Sequence, residues 1–316
     1  MKPLFSIIIP VGPGRNAEVI NSISNCQFPK SDYEIIVEEG TNPSMNRNRG
    51  ALKARGKILI FLDDDAFVDT SFLDNAANFL NLHPDVDLVG GPQLTPPQDG
   101  FFGIIGGYAI SSFFASYTMS HRYKVCPETL DASEFDMTSA NLFVRKTSFE
   151  KIGGFDERIF PGEDPEFLAR AKLKGFCLAY SPDIKIYHKR RPTPKLLFRQ
   201  FYLYGRARLL KEHILGTRFN PVFLAPPIFA VYIFSIPFLV FLFPLGLTVL
   251  LLYAFLCFLS SLYEMAIHRK IILFFLLPFF YFLIHFSYGL GFLVTFFSLY
   301  LPFLSDKRDI LKERRH

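Results

Sequence analysis

The sequence predicts an α/β domain with a mostly parallel sheet, followed by interfacial helices and an α-helical membrane domain. In the first part, short apolar runs alternate with segments of helical periodicity, which is typical of parallel strands covered by helices on both faces. In the last part, residues 220–304 contain only three Asp, Glu, Lys or Arg residues, namely Glu264, Arg269 and Lys270. Soluble domains carry charge at about one residue in four, so this stretch is not a water-exposed surface.

The elements of the α/β domain follow from the apolar periodicity. Strands are predicted at 4–11, 33–37, 57–62, 140–145, 177–180 and 185–188. Helices are predicted at 17–24, 44–55, 71–82 and 165–174. Such sheets bind ligands beyond the carboxyl ends of their strands, so we expect Pro10, Glu38 and the run Asp63–Asp65 to share one rim. Residues 101–123 are apolar and aromatic, but they are too rich in Gly and Ser to predict a membrane span.

The apolar C-terminal part is long enough for several crossings, because a bilayer core about 30 Å thick needs about 20 apolar residues per helix. We predict four spans, near 222–243, 246–263, 271–286 and 288–304, with Ser287, Gly289 and Gly291 making the last turn. The alternative is two spans followed by one long tilted helix. The basic tail, 305–316, favours a cytosolic end and therefore an even number of crossings.

A basic segment joins the two parts. Residues 185–218 contain ten Lys or Arg and one acidic residue, Glu212, which is the pattern of a cytosolic flank of a membrane protein. We therefore divide the chain into a catalytic-type domain at 1–190, a basic amphipathic interfacial segment at 191–220, membrane helices at 221–304 and the tail. A nucleic-acid patch is the alternative, and the adjoining membrane block disfavours it. The four scattered cysteines lack metal-site spacing and suit a reducing compartment.

Two acidic motifs carry the chemistry. Asp63-Asp64-Asp65 follows a buried strand directly, and three adjacent carboxylates are stable as anions only near a cation or water. A divalent metal with oxygen ligands suits them, although a solvated turn that caps a helix is the simpler alternative. Glu163-Asp164 opens a helix, where acidic residues are also favoured by the helix dipole alone.

Four segments in order carry a family resemblance: SIIIPV, NRNRGALKARGKILIFLDDD, SANLFVRKTSFEKIGGFDE and GEDPEFLAR. Together they resemble family 2 glycosyltransferases of the GT-A fold over about residues 4–210. The apolar C-terminal block is similar to that of members which build surface polysaccharides or lipid-linked glycans. The sequence also departs from the family. Glu38-Glu39 replace the usual aspartates, one strand and one helix are missing after Gly40, and the QxxRW motif of processive synthases is absent.

The resemblance implies a role for each matching residue. Asp63 and Asp65 would hold Mg²⁺ or Mn²⁺, Asp164 would be the catalytic base with Glu163 beside it, and Ser139 and Asn141 would line the acceptor side. The nucleotide-sugar would be bound by Pro10, Glu38, Arg47, Asp63, Asp64 and Arg206. A basic membrane-surface helix is an equally good account of Arg206.

The function implied by the resemblance is an inverting transfer of a sugar from a UDP- or GDP-sugar to a lipid-linked acceptor. The expected location is an integral membrane protein with its catalytic domain on the cytosolic face, in contact with membrane lipids and with no nucleic acid. If the acceptor is a lipid phosphate, Asp164 orients it rather than deprotonates it. Two alternatives remain: a catalytically inactive membrane scaffold and a transport protein. Few charges lie within the apolar block, which disfavours transport.

Overall fold

The computed structural model describes residues 2–217, 219–242 and 247–300, without the side chains of 240–242. They divide into two compact units. The first unit comprises 2–96 and 118–189, and the second comprises 97–117 and 190–300. The predicted catalytic domain at 1–190 was therefore wrong in one respect, because residues 97–117 pack with the C-terminal helices. The predicted tail at 305–316 and the predicted boundary between the spans near 222–243 and 246–263 lie outside the described residues.

The first unit is built on a six-stranded sheet of order β2-β1-β3-β7-β5-β8. Its strands are β1 (Phe5–Val11), β2 (Tyr33–Glu39), β3 (Ile58–Leu62), β5 (Leu88–Gly90), β7 (Asn141–Arg145) and β8 (Leu178–Tyr180). Only β7 runs antiparallel to its two neighbours. A second sheet of order β4-β9-β6 is formed by β4 (Ala66–Val68), β6 (Gln93–Leu94) and β9 (Ile186–His188). The predicted mostly parallel α/β sheet is confirmed.

Helices cover both faces of the large sheet. They are α1 (Val19–Ser24), α2 (Pro43–Lys53), α3 (Phe72–Leu82), α6 (Lys146–Ile152) and α7 (Glu163–Leu173). Alternate strand residues feed two separate cores: Ile7 and Ile60 pack with α1 and α3, whereas Ile8 and Leu59 pack with the other three helices. This alternation is the period of two expected of a strand buried on both faces. The sheet is therefore a three-layer scaffold with its strand ends free to form a site.

The second unit is helical. Its helices are α4 (Phe101–Ser111), α5 (Phe113–Ser116), α8 (Pro194–Leu215), α9 (Ala225–Leu242), α10 (Thr248–His268) and α11 (Ile272–Tyr300). Within the described residues, three helices are long and apolar enough to cross a membrane: Pro221–Leu239, Thr248–His268 and Ile272–Tyr300. These helices match the alternative of two spans and one long helix rather than four separate spans.

The predicted turn at Ser287, Gly289 and Gly291 is wrong, because α11 runs through it without a break. The glycines serve close packing instead. A Cβ on Gly291 would lie 1.9 Å from the carbonyl oxygen of Tyr202, and one on Gly289 would lie 2.1 Å from that of Pro226. Small residues that let helix backbones approach are common between membrane helices. Here they seat α11 against α8 and α9.

Helix α8 differs from the predicted amphipathic helix at one point. Its basic side chains were expected to face lipid headgroups, yet Arg208 and Lys211 are 5% and 2% exposed. Both lie beside Glu212, with closest nitrogen to oxygen distances of 3.6 and 2.8 Å. The Arg208 guanidinium also stacks 4.2 Å from the Phe223 ring. These two cations therefore contribute to packing within the second unit, where burial of a charge requires such partners.

Candidate functional site

The ends of three neighbouring strands form one rim of the first unit. Strand β1 pairs in parallel with both β2 and β3, so their carboxyl ends lie at the same edge. Pro10 is directly opposite Glu38 in the β1–β2 register. Asp63 follows the last residue of β3. The predicted shared rim of Pro10, Glu38 and the acidic run is therefore present.

The acidic run meets a histidine that the sequence interpretation missed. Ligand atoms of Asp63, Asp65 and His188 all lie within 4.8 Å of one another. The Nε2 atom of His188 is 3.0 Å from Oδ1 of Asp65 and 3.8 Å from Oδ2 of Asp63. The small sheet brings them together, because β4 begins directly after Asp65 and Ala66 pairs with His188.

The hydrogen bonding of His188 suits a metal ligand. Its Nδ1 lies 2.9 Å from the backbone oxygen of Lys189, and a carbonyl oxygen only accepts, so Nδ1 carries the hydrogen. In the neutral ring this leaves the lone pair on Nε2, the nitrogen that faces the two aspartates. A second bond that fixes the tautomer is the usual support of a metal-binding histidine.

The charges around this group fit a divalent cation. Five carboxylates, from Asp63, Asp64, Asp65, Glu163 and Asp164, lie around two arginines, Arg15 and Arg47. Two carboxylates and one imidazole form a mixed oxygen and nitrogen set. Nitrogen ligands suit transition metals, whereas Mg²⁺ prefers oxygen ligands, so the set favours Mn²⁺ over Mg²⁺.

Asp64 lies beside this group with a different environment. Its side chain is buried, Oδ1 is 3.1 Å from Arg15 Nη2, and Oδ2 has no hydrogen-bond partner among the described residues. Burial raises the pKa of Asp64 to about 6, with repulsion from Asp65 and Asp63 adding to the rise and Arg15 opposing it. The same Arg15 nitrogen lies 3.4 Å from Oδ2 of Asp65. Arg15 was not predicted as a site residue, because a lone arginine in a glycine-rich loop has no distinguishing pattern.

Arg47 joins the two acidic motifs. Its guanidinium lies 3.0 Å from Oδ1 of Asp63 and 2.9 Å from Oε1 of Glu163, with Oδ1 of Asp164 at 4.0 Å. Helix α2 can place it there because Gly50 packs directly on β1, where a Cβ would lie 2.4 Å from Ile8. Arg47 is only 4% exposed, so its first effect is to hold the carboxylates together. A direct contact with a nucleotide remains a prediction.

Glu163 and Asp164 begin α7 and differ in exposure. Glu163 is buried, and its Oε2 accepts a hydrogen bond from the backbone N–H of Gly162 at 3.0 Å. Burial raises the pKa of Glu163 to about 7, and repulsion from Asp164 adds to the rise. Arg47 opposes this only in part, because three carboxylates share one guanidinium. The side chain of Asp164 is 23% exposed, so of the two acids it is the accessible one.

The predicted acceptor residues are both buried. The Ser139 hydroxyl donates to Oδ1 of Asp164, and Asn141 Nδ2 donates to the Ile184 backbone oxygen at 2.7 Å. Both residues are fully buried, and Asn141 Oδ1 has no hydrogen-bond partner among the described atoms. Ser139 therefore orients Asp164, and Asn141 ties β7 to the chain before β9. A direct contact of either residue with an acceptor remains a prediction.

The remaining predicted residues are less closely grouped. Glu38 is buried and pairs with Lys53 Nζ at 2.5 Å, while Glu39 accepts from the backbone N–H of Gly14 at 3.1 Å. Arg206 belongs to the second unit, where its guanidinium lies 6.0 Å from the Tyr202 ring centre. The first unit thus assembles its acidic site from Asp63–Asp65, Arg47, Glu163, Asp164 and His188.

A family model and two characterised proteins match the chain. A model of glycosyl transferase family group 2 matches residues 58–303. Glycosyltransferase AglE of Haloferax volcanii is 26% identical over 230 residues, covering 63% of this chain and 71% of that protein. O-antigen biosynthesis protein RfbC of Myxococcus xanthus is 30% identical over 158 residues, covering 46% of this chain and only 12% of that protein.

A solved structure shares the fold over most of the chain. The mannosyltransferase PcManGT from Pyrobaculum calidifontis, in complex with GDP-Man and Mn²⁺, matches with a TM-score of 0.54 and 15% identity. The match covers 95% of this chain and 88% of that one. At this identity the likeness shows the GT-A fold alone.

Proposed function

The chain belongs to glycosyl transferase family group 2, and we propose that it is an inverting enzyme which glycosylates a lipid-linked acceptor at a membrane. The donor is a nucleotide-diphosphate sugar, and the product enters surface glycan synthesis. One observation carries the proposal: the Asp63, Asp65 and His188 group lies on the same rim as the Arg47-linked pair Glu163 and Asp164. A metal-compatible group beside an accessible carboxylate is what sugar transfer from a diphosphate requires.

The donor would lie along the rim from β2 to β3. Pro10 and Glu38 are adjacent there and would contact the nucleoside, with Asp63 and Asp64 at the other end. Arg47 would keep the Asp63 carboxylate in place through its 3.0 Å contact. Mn²⁺ or Mg²⁺, bound by Asp63, Asp65 and His188, would neutralise the departing nucleoside diphosphate. Mn²⁺ accompanies the nucleotide sugar in the PcManGT structure, which is consistent with this choice.

Asp164 would act on the acceptor. Its carboxylate is partly exposed, and the Ser139 hydroxyl bonds Oδ1, which leaves Oδ2 for the acceptor. The acceptor oxygen attacks the anomeric carbon while its proton passes to Asp164, and the bond from that carbon to the diphosphate oxygen breaks. A single displacement of this kind inverts the anomeric configuration. If the acceptor is a phosphate, no proton is transferred and Asp164 only orients it.

The membrane side of the proposal rests on the second unit. Three of its described helices are long and apolar enough to span a bilayer. The basic run 185–218 precedes them and favours a cytosolic flank, the compartment in which nucleotide sugars are made. The name of RfbC, an O-antigen biosynthesis protein, is consistent with a surface glycan as the product. The proposed arrangement is a cytosolic first unit held at the membrane by the second.

The test is a transfer assay with the full chain in lipid nanodiscs. UDP- and GDP-sugars are supplied with and without Mn²⁺, together with either polyprenyl phosphate, a polyprenyl-linked sugar or a water-soluble glycan. Labelled sugar in the organic-extractable fraction is the expected result, and it should depend on Mn²⁺. Asp65→Ala is the inactive control. Product found only on soluble glycans would overturn the lipid acceptor, and donor binding without transfer to any acceptor would favour the scaffold alternative.

A further inference from the structure

Residues 97–117 are an excursion from the first unit with one charged residue, Asp99, near its start. The chain leaves that unit after Pro96 and returns to it at Thr118. No Asp, Glu, Lys or Arg occurs between Asp99 and Arg122. The excursion consists of α4 and the short α5, joined at Ser112, whose backbone is extended. Both of its ends are therefore attached to the same α/β unit.

The excursion packs on α11. The rings of Phe102 and Phe280 lie 4.6 Å apart, and Phe114 lies 5.2 Å from Tyr281. At Gly106 a Cβ would already lie 3.4 Å from the Phe280 ring. The longest of the three described apolar helices thus supplies the surface on which α4 and α5 pack.

Side chains of the long helices satisfy the break between α4 and α5. The Tyr281 hydroxyl donates to Ser112 Oγ at 3.2 Å, and Nε2 of His285 donates to the Phe114 carbonyl at 2.9 Å. Tyr253 then donates to Nδ1 of His285 at 3.0 Å, because that nitrogen carries no hydrogen when Nε2 does. In hydrocarbon, irregular backbone persists only where protein groups complete its hydrogen bonds. The bonds from Tyr281 and His285 complete the hydrogen bonding of the break in this way.

The depth of the break follows from its partners. Tyr281 and His285 are the tenth and fourteenth residues of the 29-residue α11. At 1.5 Å per residue they lie about 14 and 20 Å from its first residue, which is near the middle of a hydrocarbon core about 30 Å thick. Helix α4 has 11 residues and is about 16 Å long, too short to cross.

We propose that residues 97–117 form a re-entrant membrane segment, which enters the bilayer and leaves it on the side of the first unit. Its partner is lipid hydrocarbon: Phe101 and Phe113 are 67% and 58% exposed, and no Asp, Glu, Lys or Arg follows Asp99 in the segment. Exposed apolar residues also occur on α10, among them Leu251 and Phe255. The inference rests on the proposed membrane location of α9–α11.

The segment also has a place in the chain that matters for the acceptor. It is followed directly by residues 118–139, and that stretch ends at Ser139, which bonds the proposed base Asp164. A lipid-embedded anchor would therefore fix one end of the stretch whose other end orients the base. The segment and Ser139 are thus connected by the continuous chain 118–139.

Spin-label accessibility tests the proposal in the full chain, reconstituted in nanodiscs of phosphatidylcholine and phosphatidylglycerol. Single cysteines are introduced as Phe101→Cys and Phe113→Cys, in a background with the four native cysteines replaced. Two matched controls are Leu251→Cys on α10 and Leu52→Cys, which is 86% exposed on α2 of the first unit. Power saturation with oxygen, which partitions into lipid, and with a water-soluble nickel chelate gives an accessibility ratio for each label.

The expected ratio at 101 and 113 resembles that at 251 and exceeds that at 52 severalfold. A ratio at 101 and 113 equal to that at 52, with 251 lipid-like, would overturn the re-entrant segment and leave the proposed function intact. A water-like ratio at 251 as well would overturn the membrane location of α10 and, with it, the inference. Retained donor binding by each labelled protein establishes that the substitutions leave the fold unchanged.

Discussion

Arg47→Met should destabilise the first unit, and by more at high pH. The guanidinium is 4% exposed and is the cation nearest the buried Glu163, at 2.9 Å. Removing one partner of a buried ion pair costs about 3–5 kcal/mol, because the other charge is left uncompensated. The contact with Asp63 adds little, since that side chain is 31% exposed and water can replace the arginine. We therefore expect the free energy of unfolding at pH 8 to fall by an amount near the lower end of this range, about 3 kcal/mol.

The pH dependence follows from Glu163. Its pKa in the folded protein, about 7, is above the ordinary glutamate pKa of 4.5, so the folded state binds more protons. The contribution of the Glu163 carboxyl group to stability is fully present below pH 4.5 and is lost as the pH rises through 7. Without Arg47 the folded pKa rises further, and the loss continues to higher pH. One pKa unit corresponds to about 1.4 kcal/mol, so the substitution should lower the free energy of unfolding by about 1 kcal/mol more at pH 8 than at pH 6.

Thermal unfolding measures both effects. For a unit of this size, 3 kcal/mol corresponds to a fall in Tm of about 6–12 °C. The chain contains no tryptophan, so a thiol-reactive dye can report exposure of Cys26, which is buried in the first unit, with the other cysteines replaced by alanine. The matched control is Arg55→Met, because Arg55 pairs with Glu34 at 2.7 Å but its side chain is 71% exposed. This control should lose less than about 1 kcal/mol.

Two outcomes would refute the reasoning. A fall in Tm at pH 8 no larger than that of Arg55→Met would mean that Arg47 does not hold the buried carboxylates. An equal fall at pH 6 and pH 8 would mean that Glu163 does not titrate in this range. The double variant Arg47→Met/Glu163→Gln should recover part of the loss, because it removes the unpaired charge together with its partner.

Three further predictions concern turnover and metal binding. Asp164→Asn should lower kcat by about 10²-fold or more with little change in donor affinity, and near-normal turnover would leave Asp164 without a role in proton transfer. His188→Ala should weaken Mn²⁺ binding, measured by calorimetry, by about tenfold or more and reduce any preference for Mn²⁺ over Mg²⁺. Asp65→Ala should weaken the binding of both ions. An unchanged Mn²⁺ affinity in His188→Ala would remove His188 from the ligand set. In the absence of the donor sugar nucleotide, Arg15→Ala should tighten Mn²⁺ binding severalfold, because it removes a positive charge that faces Asp64 and Asp65. The same gain in Arg55→Ala would show that the effect is not local.

Five of the six strands of the central sheet were predicted, and the short β5 (Leu88–Gly90) was missed. Strands β1 and β3 are continuous apolar runs, and such a run is sufficient to predict a strand that is buried on both faces. Of the small sheet only β9 was predicted, at 185–188, whereas β4 and β6 were missed since they have three and two residues and exist through pairing rather than local preference. His188 was missed for the same reason, since only the β4–β9 register brings it to Asp65.

The errors in the apolar part have a common cause. Gly289 and Gly291 were interpreted as a turn, yet in a helix without charged neighbours a glycine serves close packing as readily as a break. Residues 97–117 were assigned to the α/β domain because they lie within its sequence range. Their packing partner, α11, follows about 160 residues later, and a local pattern carries no information about so distant a contact. Composition identified the apolar C-terminal part, but it could not identify which other segment packs against its helices.

The pairing of β4 with β9 also fixes when the site can form during synthesis. β4 begins one residue after Asp65, whereas β9 ends at His188, next to the end of the first unit at Lys189. A nascent chain that carries both aspartates still lacks the histidine until almost the whole unit has been translated. The next residues to emerge are the rest of the basic run and then the three apolar helices. The proposed ligand set is therefore complete only late in translation, and stalled ribosomes bearing chains that end before β9 would carry both aspartates without the histidine.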